Sequence, residues 1–207
     1  FQVVNVINST YFKVMERLSK EFWSSRYQHN DTGWDIGEIS TPIKAYFDQV
    51  LDKELKILIP GCGNGYEAAY LFKAGFTNVT ILDFAQEPLT QFKARNKSFP
   101  KPQIHQGDFF KHTGRYDLVV EQTLFCAIAP DLRQKYADKV HELLKPQGKL
   151  IGVLFNREFE SGPPYGGTKQ EYLSYFANQF EQITIEDCYN SISPRKNSEF
   201  FIKMIKV

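Results

Sequence analysis

The chain has 207 residues, a length that predicts one domain with a sizeable hydrophobic core. Its formal net charge of +1, without a long basic run, argues against a nucleic-acid-binding surface, and no apolar segment is as long as a membrane span. The three cysteines, Cys62, Cys126 and Cys188, are far apart in the sequence, which favours free thiols and a cytoplasmic location.

The N-terminal part of the chain predicts two helices. Apolar residues recur at helical spacing and predict a helix over residues 9–28. A polar loop follows over residues 29–41. Thr41-Pro42 then resembles a helix cap followed by proline at the first helical position, which predicts a second helix through Leu51.

From residue 55 onwards, predicted strands alternate with helices. The strands are predicted at residues 55–60, 79–83, 104–106, 116–121, 150–155, 183–189 and 200–207, and the helices at 66–74, 88–97, 131–144 and 169–177. This order predicts an α/β, Rossmann-like, doubly wound and mostly parallel seven-stranded sheet, with helices on both faces and an N-terminal helical cover. We expect one domain over residues 1–207, with a helix and lid segment over 1–41 and the core over 42–207.

The most informative segment is an apolar strand that runs into three glycines at alternate positions, Gly61, Gly63 and Gly65. A dinucleotide-binding loop would have its third glycine where Tyr66 stands, and no Gly-Lys-Ser/Thr triphosphate loop is present. The spacing therefore favours a nucleoside ligand without a pyrophosphate. A glycine turn with a purely structural role is the alternative.

Two acids follow later strands and extend this interpretation. Asp83 ends the second strand, where a carboxylate can accept hydrogen bonds from ribose hydroxyls, although a helix cap is the alternative. Asp108 can accept a hydrogen bond from the amino group of an adenine, and the ring of Phe109 can pack on the face of the base. An aspartate with a structural role in a turn is the alternative. Together, the glycine loop and the two acids predict an S-adenosylmethionine site without a metal.

Several longer motifs accompany these residues. They are Phe22-Trp23, residues 32–37, residues 59–66, residues 107–110, residues 123–128, residues 143–146 and Gly162-Pro163-Pro164-Tyr165. With this set of motifs, which spans residues 20–200, the chain resembles the class I methyltransferases. Within that class it is similar to the thiopurine S-methyltransferase superfamily, and most of all to its thiol and halide methyltransferase branch.

The resemblance implies roles for individual residues. The implied cofactor-binding residues are Trp23, Trp34, Gly61, Gly63, Gly65, Asp83, Asp108, Phe109, Gln122, Thr123 and Phe125. Gln122 and Tyr165 are expected at the catalytic centre, beside the transferred methyl group and near the acceptor. One departure stands out, because the branch usually ends its fourth strand in Asp-Tyr-Thr, whereas this chain has Glu121-Gln122-Thr123. The identity of the methyl acceptor therefore stays open.

The resemblance implies an enzyme that moves a methyl group from S-adenosylmethionine to a small soft nucleophile, and S-adenosylhomocysteine is the second product. A thiol, a sulfide, a halide or a thiopurine would qualify, and such acceptors need little help from a base, so we expect no catalytic triad. The alternatives are an oxygen or nitrogen acceptor, with His29 or Glu121 as the base, and a non-catalytic cofactor-binding protein. We expect a small-molecule acceptor, no nucleic acid or membrane partner, and a monomer or weak homodimer.

Overall fold

The computed structural model of the protein describes residues 18–207. Of the helix predicted over residues 9–28, the part before residue 18 lies outside the described residues. The strands are β1 (Ile57–Pro60), β2 (Val79–Asp83), β3 (Ile104–Gln106), β4 (Tyr116–Gln122), β5 (Leu144–Phe155), β6 (Gln182–Asp187) and β7 (Glu199–Ile205). The α-helices are α1 (Lys20–Gln28), α2 (Thr41–Phe47), α3 (Tyr66–Lys73), α4 (Gln86–Arg95), α5 (Arg133–Leu143) and α6 (Lys169–Phe176).

The seven strands form one sheet in the order β3-β2-β1-β4-β5-β7-β6. Strands β1 to β5 are parallel, and β7 runs antiparallel between β5 and β6. The predicted mostly parallel, seven-stranded sheet is therefore confirmed. The order of the strands reverses between β1 and β4, and ligands of such sheets bind beyond the carboxyl ends of the strands at that reversal.

Helices cover both faces of the sheet and bury two apolar cores. On one face, residues of α2, α3 and α4 such as Phe47, Leu71 and Phe92 pack against β1 and β2. On the other face, residues of α5 and α6 such as Tyr136 and Phe176 pack against β4, β5 and β7. The continuous apolar character of β1, which is buried at all four positions, follows from this cover on both sides.

The sequence misplaces several element ends. Helix α5 ends at Leu143, and β5 begins at Leu144, six residues before the start predicted at residue 150. The strand starts early because Leu144 pairs with Tyr116 before a register shift, and Gln147 has a φ of 62°. Helix α4 begins at Gln86, because a proline at its third position lies in the first turn, where no backbone N–H is bonded within the helix.

Within residues 18–207, no helix combines the length and the apolar character that crossing a bilayer requires.

Candidate active site

A cavity of about 700 Å³ opens at the carboxyl edge of the sheet. Its wall contains residues from the ends of β2 and β5 and from the loops that follow β1, β3 and β4, together with residues of α1 and of the loop after it. The cavity therefore lies at the reversal of strand order, where an open α/β sheet binds its ligand.

The glycine loop leads from β1 into α3 by way of three left-handed residues. The φ angles of Gly61, Gly63 and Gly65 are 59°, 51° and 71°. A Cβ atom at Gly65 would also lie 2.4 Å from a ring carbon of Phe92. Both the backbone conformation and the space exclude a side chain there, so the predicted glycine loop has a steric basis.

Asp83 fixes this loop and also faces the cavity. Its Oδ2 accepts a hydrogen bond from the Gly63 N–H at 2.8 Å, and its Oδ1 accepts one from the Ala85 N–H at 2.9 Å. Burial raises the pKa of Asp83 to about 6, because few water molecules stabilise the charged form. Each carboxylate oxygen has a second lone pair, so ligand hydroxyls can still donate to Asp83.

Asp108 and two phenylalanines line another part of the wall. Asp108 Oδ1 accepts a hydrogen bond from the Phe110 N–H at 2.9 Å. Phe109 is buried and packs on Tyr136, with 5.3 Å between ring centroids. Phe84, directly after Asp83, is 38% exposed and also lines the cavity. Phe84 thus offers more free ring surface to a ligand than Phe109. Phe84 was not predicted from the sequence, although an apolar residue directly after the acid that ends a strand was the available signal.

Aromatic residues of α1 and the loop after it cover the cavity. The rings of Trp23 and Trp34 meet edge to face with centroids 5.4 Å apart, and Tyr27 meets Trp34 at 5.7 Å. Burial, and next the carboxylate of Asp83, raise the pKa of Tyr27, so its hydroxyl stays protonated. Tyr27 was not predicted from the sequence, although it follows Trp23 by four residues and therefore shares its helix face.

The aromatic cover is tied to the core by polar contacts. Asn64 Nδ2 of the glycine loop donates a hydrogen bond to Asp35 Oδ2, and Gln28 Nε2 donates to Glu87 Oε1 at 2.6 Å. The Arg195 guanidinium donates to the Trp34 carbonyl oxygen at 2.7 Å. These contacts hold Trp34 over the glycine loop.

Arg26 occupies one of the aromatic faces. Its guanidinium carbon lies 5.0 Å from the centroid of Trp34, and its Nε lies 3.0 Å from a carboxylate oxygen of Asp31. A cationic ligand group therefore has Trp23 and Tyr27, rather than this face of Trp34, as available partners.

The end of β4 is irregular and only partly reaches the cavity. Thr123 lines the wall with a φ of 66°, an uncommon value for a β-branched residue. Gln122 is not on the wall, and its buried Oε1 has no hydrogen-bond partner among residues 18–207. Phe125 is 1% exposed and packs on Tyr136 in the core.

Glu121 is buried directly behind this turn. Its Oε1 accepts a hydrogen bond from the Phe125 N–H at 2.9 Å, and its Oε2 accepts one from the Tyr136 hydroxyl. Burial raises the pKa of Glu121 from 4.5 to about 7. The carboxyl group therefore supports the turn that carries Thr123 and Cys126, two residues of the wall.

We expect the stability of the protein to fall as the pH rises from about 4.5 to about 7. In this window the folded protein keeps a proton on Glu121 that the unfolded chain has lost, so ionisation favours unfolding, by about 1.4 kcal/mol per unit of pKa difference. Asp83, whose pKa is also raised, acts in the same direction. Denaturant titrations at pH 5 and pH 8 measure the effect. A Glu121→Gln variant should show a weaker pH dependence, and an unchanged one would contradict the assignment to Glu121.

The Gly-Pro-Pro-Tyr loop faces the cavity through its prolines. Pro163 and Pro164 line the wall, whereas Tyr165 does not. A Cβ atom at Gly162 would lie 2.2 Å from a ring carbon of Tyr165, so the tyrosine ring lies close against Gly162. The Tyr165 N–H donates to the Cys126 carbonyl oxygen at 2.7 Å, which joins this loop to the turn after β4.

The structure brings most of the predicted site residues to one cavity. Those on its wall are Trp23, Trp34, Gly61, Asp83, Asp108, Phe109 and Thr123. Those placed elsewhere are Gly63, Gly65, Gln122, Phe125 and Tyr165, of which the two glycines lie within the loop itself. Wall residues that the sequence did not single out include Arg26, Tyr27, Phe84, Leu124, Lys135, Arg157 and Arg195. Among residues 18–207, no three His, Cys, Asp or Glu side chains are arranged to hold a metal ion.

Comparisons with known proteins agree with this geometry. The sequence profile of the thiopurine S-methyltransferase family matches residues 18–205. The chain is 29% identical over 197 residues to probable thiol methyltransferase 2 of Arabidopsis thaliana. This alignment covers 91% of the chain and 86% of that relative. It is also 29% identical over 192 residues to thiocyanate methyltransferase 1 of Brassica oleracea, with 89% and 84% covered.

A solved structure of similar fold is 1,6-didemethyltoxoflavin-N1-methyltransferase of Burkholderia thailandensis, with bound 1,6-didemethyltoxoflavin and S-adenosylhomocysteine. The TM-score is 0.71 at 18% identity, and 96% of this chain and 90% of that chain are covered. At this identity the likeness concerns the fold.

Proposed function

The chain belongs to the thiopurine S-methyltransferase family and is an S-adenosylmethionine-dependent methyltransferase, and we propose that it methylates a small acceptor at a soft sulfur atom. When bound, the cofactor supplies an activated methyl group. The names of the two plant relatives, a thiol and a thiocyanate methyltransferase, support an acceptor of this class.

The described part of the cavity wall carries this proposal, because its two carboxylates, Asp83 and Asp108, are assigned to the cofactor and it holds no other suitable base. Among residues 18–207, no histidine lines the cavity, and burial raises the pKa of Cys126 to about 12. His29 and Glu121, the two candidate bases for an oxygen or nitrogen acceptor, both lie off the wall. A thiol needs no such base, since a few per cent of a free thiol is thiolate at neutral pH.

The polar and aromatic residues of the wall fit the cofactor. We assign Asp83 to the ribose hydroxyls and Asp108 to the adenine amino group, because both carboxylates face the cavity. Phe84 and Phe109 are the rings available to pack on the base. Trp23 has its ring available to a sulfonium, whose attraction to an aromatic face contributes about 0.5–2 kcal/mol.

Gln122 and Tyr165 remain predictions for the reacting centre. The buried Oε1 of Gln122 lacks a hydrogen-bond partner within the described part of the chain, and a buried acceptor of this kind is expected to gain one when the site is filled. We propose that the backbone at four further positions shapes the reacting centre, namely at Gly63, Gly65, Thr123 and Phe125.

We also propose how the rest of the chain is organised. The segment over residues 18–41 covers the cavity, and residues 42–207 form the core of one domain. We keep a monomer or weak homodimer as the assembly and the cytoplasm as the compartment, because the three cysteines are free thiols, the state that a reducing compartment maintains.

A panel of acceptors with labelled S-adenosylmethionine tests the acceptor. We expect transfer to thiophenol, bisulfide, thiocyanate, iodide or 6-mercaptopurine, and none to catechol or to a primary amine. For thiols, the rate should follow the thiolate fraction of the acceptor as the pH is varied. Transfer to catechol or the amine alone would favour the oxygen or nitrogen alternative. Cofactor binding in calorimetry without any transfer would favour a non-catalytic protein.

A further inference from the structure

Cationic side chains on the cavity wall differ in what they contact. Arg26 forms an ion pair with Asp31 at 3.0 Å. Arg195 forms an ion pair with Glu199 at 3.4 Å and also donates to a backbone carbonyl of the aromatic cover. Both guanidinium groups are thus engaged in contacts within the protein.

Arg157 is different. Among residues 18–207, its guanidinium has no hydrogen-bond or ion-pair partner, and its carbon atom lies 4.7 Å from the ring centroid of Phe159. The side chain is exposed and lines the cavity. A stacked guanidinium keeps its N–H groups at the ring edge free for a ligand.

The backbone at Arg157 is held in place. Its carbonyl oxygen accepts a hydrogen bond from the Gly167 N–H at 3.1 Å. A Cβ atom at Gly166 would lie 1.6 Å from the same oxygen, so only glycine permits this approach. The loop after β5 therefore closes on itself and fixes the start of the Arg157 side chain at the cavity.

The surroundings of Arg157 are largely aromatic, with the paired guanidinium of Arg195 lying 5.6 Å from the ring centroid of Phe155. Phe155 and Phe159 meet edge to face with centroids 5.0 Å apart, and both line the cavity together with Pro163 and Pro164. The acids of the wall, Asp83 and Asp108, come from the other strands and are assigned above to the cofactor. The exposed Glu158 and Glu160 are near Arg157 in sequence but are not on the wall.

Within residues 18–207, Lys135 is the remaining cation of the wall, and its surroundings differ from those of Arg157. Its ammonium nitrogen lies 4.8 Å from the ring centroid of Phe110, two residues after Asp108. Lys135 thus belongs to the part of the wall that we assign to the adenine. This leaves Arg157 as the unpaired cation beside the aromatic and proline surface.

We propose that Arg157 binds an anionic group of the acceptor, so that the preferred substrates are thiols that carry a carboxylate on an aromatic or short apolar body. The proposal rests on the proposed function and narrows its substrate class. The fork of the guanidinium matches the two oxygens of a carboxylate, and the rings of Phe155 and Phe159 pack on the apolar body.

Two acceptors that differ only in charge test this proposal. 3-Mercaptobenzoate carries the carboxylate, and its methyl ester has the same aromatic thiol without the charge. We expect the wild-type protein to show a higher kcat/KM for the acid. In an Arg157→Gln variant, kcat/KM for the acid should fall about tenfold through KM, while kcat/KM for the ester stays within about twofold. An Arg157→Lys variant should recover part of the loss.

The controls separate the possible outcomes. Lys97→Gln changes the net charge equally at an exposed position outside the cavity and should leave the ratio of acid to ester unchanged. Equal losses for acid and ester in Arg157→Gln, or no loss for either, would overturn the inference while the proposed function stands. If the wild-type protein methylates bisulfide or thiocyanate but neither aromatic thiol, the inference fails while the proposed function stands. If it binds the cofactor but methylates no sulfur acceptor at all, both fail.

Discussion

Replacing Arg133 with methionine is expected to lower the free energy of unfolding by about 2–3 kcal/mol, because the buried guanidinium is the donor to two backbone carbonyl oxygens and to the partly exposed Glu171. Arg133 is 1% exposed and forms an ion pair with Glu171 at 2.6 Å. It also donates to the carbonyl oxygens of Tyr165 at 3.1 Å and Gly166 at 2.9 Å. The guanidinium therefore connects α5 and α6 to the Gly-Pro-Pro-Tyr loop, and its loss leaves these acceptors without a donor.

Activity should fall together with stability in this variant, because the same loop supplies Pro163 and Pro164 to the cavity. Denaturant unfolding and methyl-transfer rates at a temperature where the variant stays folded measure the two effects. Arg133→Lys should be only a partial substitute, since an ammonium group does not reproduce the fork of donors. The matched control is Lys44→Met, which removes the exposed Lys44–Asp48 ion pair and should cost less than about 1 kcal/mol. A similar loss for Lys44→Met and Arg133→Met would contradict this view of Arg133.

The second large effect concerns Asp83. In Asp83→Ala, we expect affinity for S-adenosylhomocysteine to fall by about 30- to 100-fold, or about 2–3 kcal/mol, since we assign the carboxylate to the ribose hydroxyls and it also accepts a hydrogen bond from the Gly63 N–H. The fold should persist, because the charged, buried carboxylate is itself unfavourable in the free protein above its pKa of about 6. Isothermal titration calorimetry measures the affinity, and circular dichroism the fold.

The pH dependence of the wild-type affinity for S-adenosylhomocysteine is a second test of the assignment of Asp83 to the cofactor. Below its pKa of about 6 the group is protonated and accepts hydrogen bonds less well, so affinity should fall as the pH is lowered through 6. Asp48→Ala removes an exposed acid away from the cavity and is the control for loss of charge. A folded Asp83→Ala variant with unchanged affinity would remove Asp83 from the cofactor site.

The sequence by itself determined the fold and many of the residues that line the cavity, because these depend on short local patterns. An apolar strand followed by glycines at alternate positions has few possible conformations, and β2 and β3 were predicted with their observed bounds. Since parallel strands end at the same edge of the sheet, Gly61, Asp83 and Asp108 had to lie close together there. Element ends such as the start of β5 were wrong because strand pairing, not local propensity, sets them.

Tertiary structure alone decided which way side chains point and which charges remain unpaired. Phe125 and Tyr165 belong to motifs near the site, yet packing turns Phe125 into the core and places Tyr165 against Gly162. Arg26, Arg133, Arg157 and Arg195 look alike in sequence, but one is buried in a polar network, two are paired and one is free. These differences arise from contacts between residues far apart in the chain, for which a single sequence carries no local signal.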